Sequence, residues 1–195
     1  FESHYVRFLM PTTRGADRGS KKRYAGIVEK PNESGEMTTQ LVVRGLEAVR
    51  RDWTPLARRV QLELLRRIFH DEPFDAWLRQ IVKELESGAL DHELTYRKRL
   101  RRDLDAYAKS APPHVQVARM MEEAQPESEA FMHEVEYVIT TRGPAPLEPM
   151  GAGGVPPAID YAHYIDKQLA PVCDVILPFV NSSFDRIAGS QTSLF

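Results

Sequence analysis

The chain has one cysteine in 195 residues, Cys173, with no Cys or His at ligand spacing beside it. That excludes an internal disulfide framework and a cysteine-rich zinc site, and it points to a reducing cytoplasm. No apolar run approaches the roughly 20 residues that span a bilayer, and the N-terminus lacks the charged-then-apolar layout of a secretory signal. The chain also lacks a His-Glu-x-x-His, a phosphate-binding P-loop and a nucleophile elbow, which removes the compact signatures of zinc peptidases, P-loop nucleotidases and α/β-hydrolases. Positive charge is not in excess either. The 26 Lys and Arg against 28 Asp and Glu give a formal net charge of −2, which argues against a uniformly basic protein.

The total conceals a distribution. Arg14, Arg18, Lys21, Lys22, Arg23, Arg44, Arg50, Arg51, Arg58, Arg59, Arg66, Arg67 and the run over 97–102 load the first half, whereas Glu122, Glu123, Glu127, Glu129, Glu134 and Glu136 lie apart. A near-neutral chain of this kind can carry one strongly positive face. Two blocks stand out, Lys21-Lys22-Arg23-Tyr24-Ala25-Gly26 and Arg44-Gly45-Leu46-Glu47-Ala48-Val49-Arg50-Arg51-Asp52-Trp53. They combine charge for phosphates, donors for base edges, a flat aromatic face and small residues that let a backbone approach closely. The alternative is an exposed basic strand end.

Periodicity divides the chain into a β-rich start and a mainly helical remainder. A strand already under way at Phe1 runs to Met10, a basic link follows over 14–20, and 23–29 pairs with 37–43 around a turn at 31–35. Thr54 as N-cap and Pro55 at the first helical position open a helix over Pro55–Phe69, with Leu56, Val60, Leu64 and Ile68 on one face. Pro73 opens a second helix whose stripe of Phe74, Trp77, Leu78, Ile81, Val82 and Leu85 stops at Gly88. Further on, the pattern predicts a strand over 93–100, a short helix over 103–109, a helix over 113–123 and a strand over 134–141. A mobile Pro/Gly-rich loop over 143–157 leads to a helical region from Asp160 to about Ile187, interrupted near Pro171 and Pro178. On a strand, Arg97, Arg99 and Arg101 share a face opposite Lys98, Leu100 and Arg102.

The two basic blocks, and the chain from them essentially to Phe195, resemble the B-family DNA polymerases and most closely the bacterial DNA polymerase II group. The resemblance implies an α+β chain: the C-terminal part of the polymerase palm over 1–50, a mainly helical thumb with a few short strands over 51–189, and a flexible tail over 190–195. It implies that Lys21, Lys22, Arg23, Tyr24, Arg50 and Arg51 hold primer-template DNA. Lys22 then lies in the minor groove, where every correct pair offers purine N3 or pyrimidine O2; Lys21 and Arg23 lie nearer phosphates and Tyr24 near the primer end. Arg97, Lys98, Arg99 and Arg101 match the thumb's basic run and grip phosphates, while His114 in Pro113-His114-Val115 is either a phosphate ligand or a helix-start packing residue.

By the same resemblance Glu2 lies on a palm strand near the metal site, with an ordinary exposed carboxylate as the competing reading. No Asp-Thr-Asp, no Asp-x-x-Ser-Leu-Tyr-Pro-Ser and no Lys-x-x-x-Asn-Ser-x-Tyr-Gly occurs. The carboxylates for two Mg²⁺ ions, the deoxynucleotide-binding lysine and the proofreading exonuclease are therefore expected upstream of Phe1, and the fragment is expected to be inactive alone. The ending Gln191-Thr192-Ser193-Leu194-Phe195 resembles the pentapeptide that docks bacterial polymerases on the sliding clamp, with Gln191, Leu194 and Phe195 as anchors and Thr192 departing from the usual Leu. The implied setting is the bacterial cytoplasm and nucleoid, with no membrane partner. A stand-alone, non-catalytic DNA-binding or clamp-adaptor module is the rival from another class.

Overall fold

The computed structural model describes residues 4–11, 22–107, 111–124, 134–147 and 158–189. The chain is α+β, as expected. The first sheet is antiparallel in the order β1 (Tyr5–Leu9), β2 (Tyr24–Pro31), β3 (Met37–Arg44). Residues Ala25 to Val28 of the central strand are buried, and Leu9, Ala25 and Ile27 join the hydrophobic core. The hairpin between β2 and β3 closes where the Pro/Asn/Gly signal placed it. Asn32 Oδ1 accepts from the amides of Ser34 and Glu36 at 3.0 and 2.9 Å, and Gly35 takes φ 85°. Asn and Gly supply the side-chain acceptor and the left-handed backbone that such a turn requires.

A one-turn 3₁₀ helix, Glu47–Val49, leads to α1 (Pro55–Phe69). Its bounds match the expectation because the Thr-Pro start is a local signal: Thr54 Oγ1 accepts from the Ala57 amide at 3.3 Å. The opposite face buries Leu56, Val60, Leu64 and Leu65 completely, each contributing roughly 1.5–3 kcal/mol by leaving water. Next comes α2 (Asp75–Glu86), two residues later than Pro73 suggested, and Gly88, with φ 82°, follows its C-cap Ser87. Its stripe of Leu78, Ile81 and Leu85 enters the same core. No helix among the described residues is long and apolar enough to cross a membrane.

The second antiparallel sheet, β4 (Tyr96–Arg99), β5 (Glu134–Thr140) and β6 (Gly143–Pro146), with α3 (Pro113–Ala124) against it, departs from the sequence reading in three places. The strand expected over 93–100 is shorter, because Asp91–Glu93 forms a 3₁₀ turn. The helix expected over 103–109 is, up to residue 107, a single turn, Leu104–Ala106, held by Arg119 Nη2 donating to the carbonyls of Leu104 and Tyr107 at 3.3 and 3.0 Å, and 108–109 lie outside the described residues. The start of the expected loop, Gly143–Pro146, is instead the edge strand β6. Its two prolines are two residues apart, so both missing N–H groups fall on one edge, where a sheet tolerates them. Thr140 closes this hairpin, its Oγ1 donating to the Gly143 carbonyl at 2.7 Å. The rest of the expected loop, 148–157, lies outside the described residues.

The last region is helical, but its first break is not at Pro171. After α4 (Tyr161–Tyr164) a wide π turn, Ile165–Leu169, precedes α5 (Ala170–Asp174), and Pro171 lies in the first turn of that helix. A proline deprives the carbonyl four residues earlier of its donor. Here that carbonyl is Lys167, and Gln168 Nε2 donates to it at 3.1 Å. The other end of the same amide, Gln168 Oε1, accepts from the amide and hydroxyl of buried Thr54, at 3.1 and 3.0 Å. One side chain thus compensates the proline and fixes the start of α1. Pro178 breaks the chain into a 3₁₀ turn, Leu177–Val180, and Ser183 then caps α6 (Phe184–Ala188).

Behind the second sheet, Tyr96, Tyr137 and Tyr164 pack ring on ring with centroids 5.2 and 5.7 Å from Tyr96. Burial pushes the Tyr137 hydroxyl up to about 12 and raises Tyr96 and Tyr164 further. All three therefore stay neutral and donate or accept hydrogen bonds, as Tyr164 does in accepting the Ile139 amide at 2.8 Å. The cap between α1 and the π turn gives the sharpest stability test. Thr54→Ala removes both the cap and one donor to buried Gln168, and is expected to lower the unfolding free energy in urea by about 2 kcal/mol. Thr54→Ser keeps both groups and is expected to lose less than half of that.

Candidate nucleic-acid interface

The end of the first basic block meets the start of the second. Tyr24 and Arg44 are directly opposite in the β2–β3 ladder, which places Lys22 and Arg23 beside the turn at Gly45. Gly45 has φ 64°, and a Cβ there would lie 2.1 Å from the Lys22 carbonyl oxygen. No residue with a side chain fits that contact. Gly26 plays a similar part on the next strand, where a Cβ would lie 2.6 Å from the Tyr5 ring. Tyr5, Phe8 and Tyr24 consequently form a cluster with ring centroids 5.4 to 6.1 Å apart, on which Phe8 is half exposed. Lys22 and Arg44 are exposed at its border.

Arg23 departs from its neighbours. Its guanidinium pairs with Glu47, a carboxylate only 5% exposed. Glu47 Oε2 also accepts from Gln61 Nε2 at 2.9 Å, and Gln61 accepts from the Ala48 amide at 2.6 Å while donating to the Val172 carbonyl at 3.1 Å. This buried network ties β2, the 3₁₀ turn, α1 and α5 together. It leaves Lys22 and Tyr24 as the outward members of the first block among the described residues.

The second cationic group divides by strand alternation. Tyr96, Lys98 and Leu100 turn inward, whereas Arg97 and Arg99 are exposed. Arg97 meets Glu136, its partner across the β4–β5 ladder, and approaches Glu134 at 3.8 Å. Lys98 reaches Asp52 Oδ2 at 3.4 Å, the same oxygen that accepts from Arg50 Nη2 at 2.7 Å. The structure thus brings Arg50 and Lys98 together on one carboxylate, and Arg51 beside them faces solvent. Arg101 and Arg102 are both exposed, contrary to the alternation expected of them, because β4 ends at Arg99. His114 is half-buried at the start of α3. Burial, and secondarily the charge of Lys98, holds its imidazole below the ordinary histidine pKa, so it is neutral at pH 7.

Glu2, Lys21, Gln191, Leu194 and Phe195 lie outside the described residues. Among the described residues no group of three or more His, Cys, Asp or Glu is arranged to hold a metal ion. Sequence reasoning included Arg44 in the second basic block without giving it a role of its own, and it passed over Tyr5 and Phe8 beside it and Glu47, Gln61 and Asp52 as supports of this surface. The pairing of 23–29 with 37–43 was a usable signal for Arg44; nothing in the pattern distinguished Gln61 from any other polar helical residue.

The chain belongs to DNA polymerase family B, whose sequence profile matches residues 19–178. It is similar to DNA polymerase II of Escherichia coli (strain K12), 44% identical over 200 residues that cover 100% of this chain and 24% of that protein. It is also similar to DNA polymerase 2 of Aeropyrum pernix, 30% identical over 178 residues, 87% of this chain and 21% of that one. A solved family B DNA polymerase from the archaeon Pyrobaculum calidifontis shares the fold, with a TM-score of 0.62 over 90% of this chain and 22% of that chain at 24% identity. The chain therefore spans about a quarter of the length of the curated relatives it matches.

The contact at Gly45 can be separated from backbone strain. Gly35 also has positive φ but meets nothing within 4 Å of a Cβ. Thermal unfolding is expected to show Gly45→Ala destabilised by at least about 1 kcal/mol more than Gly35→Ala, because only the former displaces a neighbouring backbone carbonyl.

Proposed function

We propose that this chain is the C-terminal part of a DNA polymerase II-like enzyme, with the end of the palm over 1–50 and the thumb over 51–189, and that it holds the primer-template duplex while nucleotides are added. The observation that carries this reading is the joining of Lys22, Tyr24, Arg44 and the Tyr5–Phe8 rings on one surface through the Gly45 contact. Lys22 reaches the minor groove just behind the new pair and donates to purine N3 or pyrimidine O2, acceptors common to all four correct pairs. Tyr24 packs at the primer end, Lys21 meets phosphate, and Arg23 acts through Glu47 by fixing the strand that presents both neighbours. Arg50, Arg51, Lys98, Arg99 and Arg101 follow the duplex backbone, with Arg97 at the margin beside Glu136. His114, neutral at pH 7, contributes packing or a hydrogen bond and not charge.

In the whole enzyme, two Mg²⁺ ions supply the Lewis-acid chemistry of phosphoryl transfer, and Glu2 is the one carboxylate of this chain placed near them by resemblance. The residues of this chain orient the primer for in-line attack and exclude misaligned termini. Lys22→Ala in the full-length enzyme is expected to slow extension about tenfold or more and to shrink the difference between matched primers and primers mismatched one pair behind the terminus. Equal losses on both would reduce Lys22 to a charge contact.

The tail is assigned to the bacterial sliding clamp, with Leu194 and Phe195 each contributing roughly 1.5–3 kcal/mol of apolar burial and Gln191 fixing the register. Tethering through the thumb raises the local concentration of so short a peptide, so micromolar intrinsic affinity suffices. Deleting Leu194 and Phe195 is expected to leave synthesis on short primers intact and abolish stimulation by the clamp. Persistent stimulation would refute the docking.

A further inference from the structure

Two cations on the proposed duplex path already hold an anion in the DNA-free protein. Arg50 gives Nε and Nη2 to the two oxygens of Asp52 at 3.0 and 2.7 Å, and Lys98 comes to the same Oδ2 from β4 at 3.4 Å. A two-oxygen fork of this kind is the geometry by which arginine also takes a phosphate. Lys98 stands farther off than the 2.7–2.9 Å or so of a fully formed charged hydrogen bond, so its ammonium retains capacity for another acceptor. The Arg50 side chain is 50% exposed, and solvent reaches the pair.

Helix capping does not account for the carboxylate, because Thr54 caps α1. Burial raises the carboxyl pKa, but the hydrogen bond from Arg50 and the charges of Lys98 and Arg50 together outweigh it. The group is therefore ionised at neutral pH and competes with phosphate as a full charge.

We propose that Asp52 is a placeholder for a DNA phosphate: it occupies the seat between Arg50 and Lys98 that a backbone phosphate takes on binding, and so limits how tightly the duplex is held. The proposal rests on the duplex-holding role given above. When DNA arrives, Arg50 and Lys98 exchange one anionic partner for another, and part of the electrostatic gain is spent on releasing Asp52. The thumb then grips firmly enough to position a primer while the exchange remains reversible as the enzyme advances. The cations are also kept aligned when no DNA is bound.

The test uses the full-length polymerase and a fluorescein-labelled primer-template duplex, titrated at several salt concentrations. Asp52→Asn is expected to tighten binding about fivefold at low salt and to steepen the slope of log affinity against log salt by about 0.9 for each cation freed. Asp52→Ser, which removes the charge with a smaller side chain, is expected to do the same. In an Arg50→Ala, Lys98→Ala background, Asp52→Asn is expected to change nothing. Unchanged or weaker binding by Asp52→Asn and Asp52→Ser, while Lys98→Ala still weakens it, overturns the placeholder and leaves the duplex contact standing. If Arg50→Ala and Lys98→Ala themselves leave affinity and slope unaltered, the duplex-holding role fails at this place. Loss of the folded state in both Asp52 variants, read by circular dichroism melting, also overturns the proposal, since a placeholder must be separable from the fold.

Discussion

The pairing of Arg23 with Glu47 is the constraint on which the proposed interface depends. A carboxylate only 5% exposed is met by a guanidinium and an amide, Arg23 from the residue before β2 and Gln61 from α1. Removing one partner of such a pair costs about 3 kcal/mol, since the other is left charged and out of water. The two partners flank Gly45, where a Cβ would collide with the Lys22 carbonyl. Electrostatics and a steric need for glycine therefore fix the same few residues from two sides, and Lys22 and Tyr24 project from a strand end that cannot drift.

The same network carries the sheet's position into the helices. Gln61 binds the Ala48 amide and the Val172 carbonyl, so the turn after β3, the middle of α1 and α5 share one set of hydrogen bonds. Gln168 makes a second tie from the π turn to the cap of α1. Both glutamines are buried and each bonds two backbone groups and one side chain, which is how buried amides become specific instead of destabilising. Asp52 then extends the order outward by linking Arg50 to Lys98 on the second sheet. Three polar contacts of decreasing burial thus run from core to surface, and the outermost, at Asp52, aligns Arg50 and Lys98, which face the duplex in the proposed function.

Local signals were legible in the sequence, and contacts between distant segments were not. Thr54-Pro55 followed by apolar residues every three or four positions gave α1 to the residue, because cap and period are written in adjacent positions. The hairpin at Asn32–Gly35 was equally plain. By contrast β6 was hidden, since Gly-Pro-Ala-Pro has no strand-forming residue and owes its pairing to an edge position beside β5. Pro171 marked a disturbance correctly but not its place: the helix widens ahead of it, where Gln168 can take over the orphaned carbonyl. The two basic blocks could be singled out by composition and resemblance, yet the inward turn of Arg23 depends on Glu47, a residue whose burial no pattern announces.

A rescue experiment on that pair tests the account most directly. Arg23→Gln, Glu47→Gln and the double variant would be compared in the full-length polymerase by thermal unfolding and primer extension. If Arg23 acts by neutralising Glu47, Arg23→Gln alone is damaging, and adding Glu47→Gln restores much of both stability and extension, because the buried charge is gone. If Arg23 instead contacts DNA phosphate directly, extension stays low in the double variant and duplex binding loses salt dependence whether or not Glu47 is charged. That second result would contradict the buried pair as the interface's support.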